Sequence, residues 1–246
     1  MKPSRASRVQ PFQAQPFPAQ PSPVQPQTQS LDSARPAEKS GYHHGDLRQS
    51  LINAAIELIQ AGDTSQLSLR EVARRVGVSH NAPYRHFQDK EALLSAVAEQ
   101  GFRGLYQATE QALVGLPTDA AQRLSAIGAA YVLFAVQHPV YYRVMFSLEG
   151  NRQDVGLQAA IEQSSGVLFT VIQSGQAAGT FRDGDPDLMA QVAWAFVHGI
   201  AMLAIEGQLP VAQNGSLDQF LQASSQLLIQ GFAAGDSAKR EAGNSQ

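Results

Sequence analysis

The sequence predicts an all-α protein. Two observations carry that prediction. Apolar residues recur three and four positions apart through most of the chain, and no useful length alternates apolar with polar as a half-buried strand would. A third observation bounds the class: none of the 246 residues is cysteine, so disulfide frameworks, zinc fingers and thiol catalysis are excluded. With 43% hydrophobic and 16% charged residues, the chain can bury a sizeable core.

Residues 1–40 are rich in Pro, Gln, Ser and Ala and offer few side chains to anchor a core, so a disordered tail is expected. Lys2, Arg5 and Arg8 are followed by no apolar run, so no export signal is expected. Leu47, Leu51, Ala54, Ala55 and Leu58 share one face of a first helix, which Gly62-Asp63 ends. Ser68-Leu-Arg-Glu71 has the form of a capping box, in which hydroxyl and carboxylate each satisfy a backbone N–H. A short helix therefore starts at Leu69 and stops at Gly77. Asp89 opens a longer one through Leu93, Leu94, Val97 and Phe102 toward Tyr106.

After the Gly115-Leu-Pro117 break, helices are expected over 118–137 and 155–174, with a short aromatic piece over 141–147 between them. A loop over 175–185 leads to a helix over 186–206 that is apolar nearly all round and should be buried. Its run from Val192 to Ile205 is interrupted by His198 and Gly199 and reads as core rather than membrane span. Ser216, with Gln219 three positions on, caps a last helix to about Phe232, and residues 235–246 should fray. A soluble, cytoplasmic protein is expected, with a tail at 1–40, domains over 41–94 and 95–234, and a second tail at 235–246.

The formal charge of −3 is unevenly spread. Residues 1–40 hold five basic against two acidic groups, residues 41–94 six of each, and the remainder seven against thirteen. The front is neutral to basic and the acid sits behind, which is compatible with a nucleic-acid partner at the front.

The informative window is Leu69 to Phe87. Two short helices crossing steeply need a small residue where their backbones approach, and Ala73 sits there. They need a residue tolerant of positive φ at the turn, met by Gly77. Val72, Val76 and Val78 supply inward apolar groups, and Tyr84 and Phe87 anchor the second helix.

The stretch from Val76 through Tyr84-Arg-His-Phe87 and Lys90 to Leu93-Leu94 resembles the signature of the TetR (tetracycline repressor) family, and Tyr42-His-His-Gly-Asp-Leu-Arg48 looks like the entry to that family's first helix. The resemblance covers about residues 42–94. Trp194-Ala-Phe-Val-His198-Gly199 resembles a Trp-His-Gly pattern in one group of the family's C-terminal domains.

The resemblance implies an N-terminal three-helix helix-turn-helix DNA-binding domain and a larger helical domain for effector binding and dimerisation. It implies a homodimeric regulator, by prior a repressor, that binds a near-palindrome in double-stranded DNA and responds to a small-molecule effector. His80, Asn81, Ala82 and Arg85 would meet base edges in the major groove. Tyr84, His86 and Lys90 would hold phosphates, with His44 adding another and Arg70 touching a base or a phosphate. Pro83 departs from the family's usual aliphatic residue. Were the helix capped at Ser79, Pro83 would cost a hydrogen bond and disfavour helical backbone at Ala82. Were Asn81 the N-cap, nothing would be lost, so a late start is expected, with His80 and Asn81 in the turn.

Tyr131, Phe134, Tyr142, Met145, Phe146, Phe169, Trp194, His198 and Met202 are the candidates for an effector pocket between helices, weighed against plain core packing. Helices 186–206 and 216–232 are the candidate dimer interface, with Ala190, Ala193, Ala201 and Ala204 allowing close approach. Neither cofactor nor metal is expected: His43-His44 has no third ligand, and Asp183, Asp185 and Asp187 lack the rest of a calcium loop. No phosphate loop or nucleophile elbow is present, so no catalytic residue is expected. Two rival classes stand beside the regulator: an architectural DNA-binding protein without effector, and an all-α small-molecule-binding protein.

Overall fold

A computed structural model of the chain describes residues 47–62, 67–147, 153–209 and 217–233. The expectations for the two tails, for His44 and for the Ser216 cap fall outside the described residues.

The fold is all-α, with the elements α1 (Leu47–Gln60), α2 (Leu69–Val76), a 3-10 turn (Pro83–Arg85), α3 (Lys90–Leu113), α4 (Ala120–Gln137), α5 (Pro139–Ser147), α6 (Val155–Ala177), α7 (Pro186–Ile205) and α8 (Leu217–Phe232). No strand occurs among the described residues; Phe181 and Ala233 form one isolated antiparallel bridge. Five helices start on a side chain that accepts a backbone N–H: Ser68 for α2, Asp89 for α3, Asp119 for α4, Asp154 for α6 and Asp185 for α7. Pro186 occupies the first position of α7, where its missing N–H costs nothing. His138 separates α4 from α5, which opens on Pro139, and the two helices meet at 102°.

The sequence-based ends shift in four helices: α5 starts at Pro139 rather than Tyr141, α6 runs to Ala177 rather than Ser174, and two further shifts have a plain physical reason. Helix α3 continues past Tyr106 to Leu113, because Ala108, Leu113 and the buried Thr109 extend its apolar face. Helix α4 begins at Ala120 rather than Thr118, because the Asp119 carboxylate accepts the Gln122 N–H at 2.7 Å.

Helix α3 is the spine. It packs against α1 at its N-terminal end and against α4, α5 and α6 along its length. One apolar cluster runs from Leu51 and Ile52 of α1 through Leu93 and Val97 of α3 to Tyr142 of α5 and Ala201 of α7. A smaller cluster at the far end joins Leu124, Val171, Phe181, Met189 and Phe232. Gly101 lets α5 lie close on α3, since a Cβ there would stand 2.6 Å from Met145 Sδ.

The expectation that the 186–206 helix is wholly buried is corrected. Met189, Ala193, Ile200 and Ala201 face the core, but Leu188 is 58% exposed and Val192, Trp194 and Leu203 are exposed beside it. An all-round apolar helix has two faces to cover, and one chain covers only one of them. By length and composition α6 and α7 would suffice to cross a membrane. Here they pack on each other, α6 against α3 and α7 against α4.

Candidate nucleic-acid interface and internal cavity

The front of the molecule is built around one tight corner. Ser68 Oγ accepts the Glu71 N–H at 3.2 Å, which is half of the expected capping box. The other half is absent: the Glu71 carboxylate turns to Arg74, with contacts of 2.6 and 2.9 Å, and this pairing holds Glu71 below its ordinary pKa. Arg75 likewise pairs with Glu57 of α1. Both arginines thus brace exposed helix surface.

Helix α2 ends at Gly77, whose φ of +79° and ψ of +29° lie in the left-handed region. The Ala73 carbonyl accepts two N–H groups there, from Gly77 at 2.9 Å and from Val78 at 3.0 Å. Ala73 is fully buried, as a close crossing requires. A turn follows, closed by the Ala82 N–H donating to the Ser79 carbonyl at 2.9 Å.

Pro83 resolves the departure noted in the sequence in a way not expected. Its ring is fully buried, so it fills the aliphatic slot, and Phe87 is buried beyond it. The second element is a single 3-10 turn over Pro83–Arg85, not a longer helix capped at Asn81. Its flanking residue is Ala82, in right-handed helical geometry (φ −63°, ψ −42°) with no side-chain cap. The two bonds donated by the His86 and Phe87 N–H groups to the Pro83 carbonyl, both 2.9 Å, hold the turn closed without an N–H on proline. His80 and Asn81 do lie in the turn before it.

Inward and outward residues separate cleanly across this segment. His80, Asn81, Tyr84, Arg85 and His86 are exposed, Ala82 and Lys90 are half-buried, and Arg70 is exposed at the start of α2. Neither Arg70 nor Arg85 has an ion-pair or hydrogen-bond partner among the described residues. Sequence reasoning missed a role for Arg48, whose guanidinium lies over the Phe87 ring, 5.4 Å from its centroid, and clamps α1 to the turn.

Two family profiles match the chain. Residues 51–97 match "Bacterial regulatory proteins, tetR family", and residues 124–227 match "Tetracyclin repressor-like, C-terminal domain". The chain belongs to the TetR family. It is a transcriptional regulator with a DNA-binding helix-turn-helix and a helical C-terminal domain. The Tetracycline repressor protein class C of Escherichia coli is 42% identical over 52 residues, which is 21% of this chain and 24% of that protein. The Nucleoid occlusion factor SlmA of Marinobacter nauticus is 25% identical over 162 residues, 66% of this chain and 81% of that one. A solved structure of a protein of unknown function from Rhodococcus sp. RHA1 is 36% identical, with a TM-score of 0.69, over 79% of this chain and all of that one.

Behind the TetR-type front lies a cavity of about 580 Å³ between α3, α4, α5, α6, α7 and α8. Of the residues expected to line a pocket, Tyr131, Met145, Phe146, Phe169 and Trp194 do so. Phe134, Tyr142, His198 and Met202 do not. Phe134 is buried against His138, with ring centroids 4.9 Å apart, and Met202 packs on the main core. Tyr142 and His198 stand one layer behind the wall: the hydroxyls of Tyr131 and Tyr142 are 3.0 Å apart, and Tyr142 Oη lies 2.7 Å from His198 Nδ1. The lining residues missed lie on five helices and include Phe102, Leu105 and Thr109 of α3, Leu157 and Glu162 of α6, and Asp187 and Phe196 of α7, with others on α4 and α8. The apolar ones have the spacing of ordinary core positions and the carboxylates that of exposed helix surface, so the sequence holds no mark of them.

Proposed function

We propose that this regulator binds a near-palindromic operator as a homodimer, represses transcription there, and is released when a small molecule occupies the cavity. The observation that carries the reading is the division of residues 79–90. Pro83 and Phe87 are committed to the core, while His80, Asn81 and Arg85 point polar groups outward with Arg85 unpaired. Arg85 would bond guanine through two donors, Asn81 would pair with adenine, and the Ala82 methyl would meet thymine. Tyr84, His86, Lys90 and His44 would contact phosphates and set the register, with Arg70 beside them.

Dimerisation would cover the second face of α7. Leu188, Val192 and Leu203 of α7 and Leu227 of α8, which is 70% exposed, form aliphatic surface that a two-fold partner removes from water. Of the small residues named for this role, Ala193 and Ala201 are buried in their own chain, while Ala190 and Ala204 are half-buried and stay beside the larger aliphatic side chains.

Release would act through α3, which begins at Lys90 beside the recognition turn and places Phe102, Leu105 and Thr109 on the cavity wall. A ligand that favours one arrangement of α3 shifts the spacing of the two recognition turns away from the operator. The role is non-enzymatic and belongs in the cytoplasm, where the DNA is. Selection of bound sequences from a random DNA pool tests the reading. A palindrome with half-sites about one helical turn apart or somewhat more is expected. No preference over random DNA would replace the regulator by an architectural protein.

A further inference from the structure

We propose that the cavity takes a lipophilic cation, an apolar amine whose body fills the aromatic chamber and whose charge meets ring faces and carboxylates. This rests on the effector reading above and adds the chemical class of the ligand.

The first support is charge. Among the described residues that line it, only Glu162 and Asp187 are charged, and no described lysine, arginine or histidine joins them. Neither carboxylate has an ion-pair or hydrogen-bond partner among the described residues. Both residues are exposed, which puts them at the opening rather than the floor. An entering anion would meet two negative groups with nothing to offset them, whereas a cation would be attracted.

The second is the wall itself. Phe102, Tyr131, Phe146, Phe169, Trp194 and Phe196 line a space of about 580 Å³, which is room for a drug-sized body. Aromatic faces attract cations, tryptophan most strongly, and desolvation increases the effect.

The third is the direction of a hydrogen-bond chain. Trp194 Nε1 can only donate, and it donates to the Tyr131 hydroxyl at 3.2 Å. With His198 in the tautomer that carries its proton on Nε2, the Tyr142 hydroxyl donates to Nδ1 at 2.7 Å and the Tyr131 hydroxyl donates to Tyr142 at 3.0 Å. Every hydrogen of the chain is then used, and what remains on the Tyr131 oxygen is an acceptor lone pair. An ammonium N–H can use that lone pair; a carboxylate or carbonyl cannot.

Trp194 is the chain's single tryptophan and stands on the wall, so its emission reports occupancy. The test titrates the full chain with decylammonium, 1-decanol and decanoate, three ligands matched in apolar length. The ammonium should change Trp194 emission with a Kd about tenfold below that of the alcohol, and decanoate should bind most weakly. In the double variant Glu162→Gln/Asp187→Asn the preference for ammonium over alcohol should shrink about threefold, with the alcohol's own Kd little changed. Alcohol or decanoate binding as tightly as the ammonium overturns the class while leaving the cavity an effector site. So does a double variant that keeps the full preference. Silence of Trp194 toward all three overturns the effector reading as well.

Discussion

Tyr142 and His198 are joined twice: the hydroxyl lies 2.7 Å from Nδ1, and the rings stack with centroids 5.5 Å apart and planes 30° from parallel. Burial pushes the Tyr131 hydroxyl up to about 12, pushes Tyr142 up as well, and pushes the His198 imidazole down. All three are therefore neutral at neutral pH, and the chain that starts at Trp194 ends on a neutral imidazole, whose Nε2–H tautomer leaves Nδ1 to accept from Tyr142.

Tyr142→Phe removes the middle of that chain. The Tyr131 hydroxyl already lies 3.2 Å from His198 Nδ1 and can take over the acceptor. The loss in urea unfolding should therefore sit at the low end of about 1–3 kcal/mol. His198→Ala deletes the acceptor and also the ring packed on Tyr142, Phe146 and Trp194, so it should cost more. The reverse order would show that the hydroxyl, not the imidazole, organises the cluster.

The same imidazole gives a pH dependence with a definite sign. A histidine whose folded pKa is depressed is less protonated than in the unfolded chain, so stability is full above the unfolded value near 6.5 and falls as pH drops toward the folded value. His138 is lowered by burial too and adds to the slope. Thermal melting between about pH 7.5 and 5.5 should show a falling Tm, and His198→Gln should flatten part of the fall. A melting temperature unchanged over that range would contradict the burial argument.

The helix-turn-helix was legible because its requirements are local. A cap at Ser68, a small residue at Ala73, a positive-φ residue at Gly77 and a buried aromatic at Phe87 are each set by a few neighbouring residues, and the structure has all four. Pro83 was misjudged because its effect is tertiary. Burial of the ring in the core outweighs the local preference against helical backbone at Ala82, and one 3-10 turn replaces the expected helix. The cavity was half legible for a related reason. Aromatic residues on α4, α5 and α7 stand out in composition, but whether Tyr131 or Tyr142 faces the void depends on the 102° bend between α4 and α5. A periodic pattern gives a face and not its neighbour.

Gly77 should be required for its φ alone. An added Cβ would meet nothing within 4 Å, so any cost of Gly77→Ala comes from backbone strain. That strain amounts to about 1–2 kcal/mol for a left-handed non-glycine residue. Asn tolerates this region better, so Gly77→Asn should lose less than Gly77→Ala in chemical denaturation. Alanine matching glycine would mean that the turn closes in another conformation.

Arg85 and Lys90 should fail differently on DNA. Arg85 is exposed and unpaired, and its loss should relax preference at one base pair at a cost of about 1–3 kcal/mol. Lys90, half-buried at the start of α3, should weaken binding to every sequence alike and lower the salt slope by about one unit when changed to Ala. Binding curves on the selected operator and on random DNA at several salt concentrations separate the two. If Arg85→Ala weakened both DNAs equally, its assignment to a base edge would be wrong.

The clearest link between the DNA-binding front and the rest is an amide pair. Gln100 Nε2 of α3 donates to Gln49 Oε1 of α1 at 2.6 Å, and Gln49 Nε2 donates back to Gln100 Oε1 at 3.3 Å. The Tyr141 hydroxyl of α5 reaches the same Gln100 oxygen at a long 3.5 Å, and Met145 and Phe146 on α5 line the cavity. Removing one amide leaves its partner part-buried with groups unmade, whereas removing both replaces a polar contact by an apolar one. Gln49→Leu and Gln100→Leu should therefore each cost more than half of what the double variant costs, with a coupling of about 1 kcal/mol in a double-mutant cycle read by urea unfolding. Because the pair ties α1 to the helix that also walls the cavity, the double variant should also release operator DNA less completely when the cavity is filled. Additive single effects together with an unchanged release would take the amide pair out of the coupling and leave it to the apolar contacts of α1 with α3 and α5.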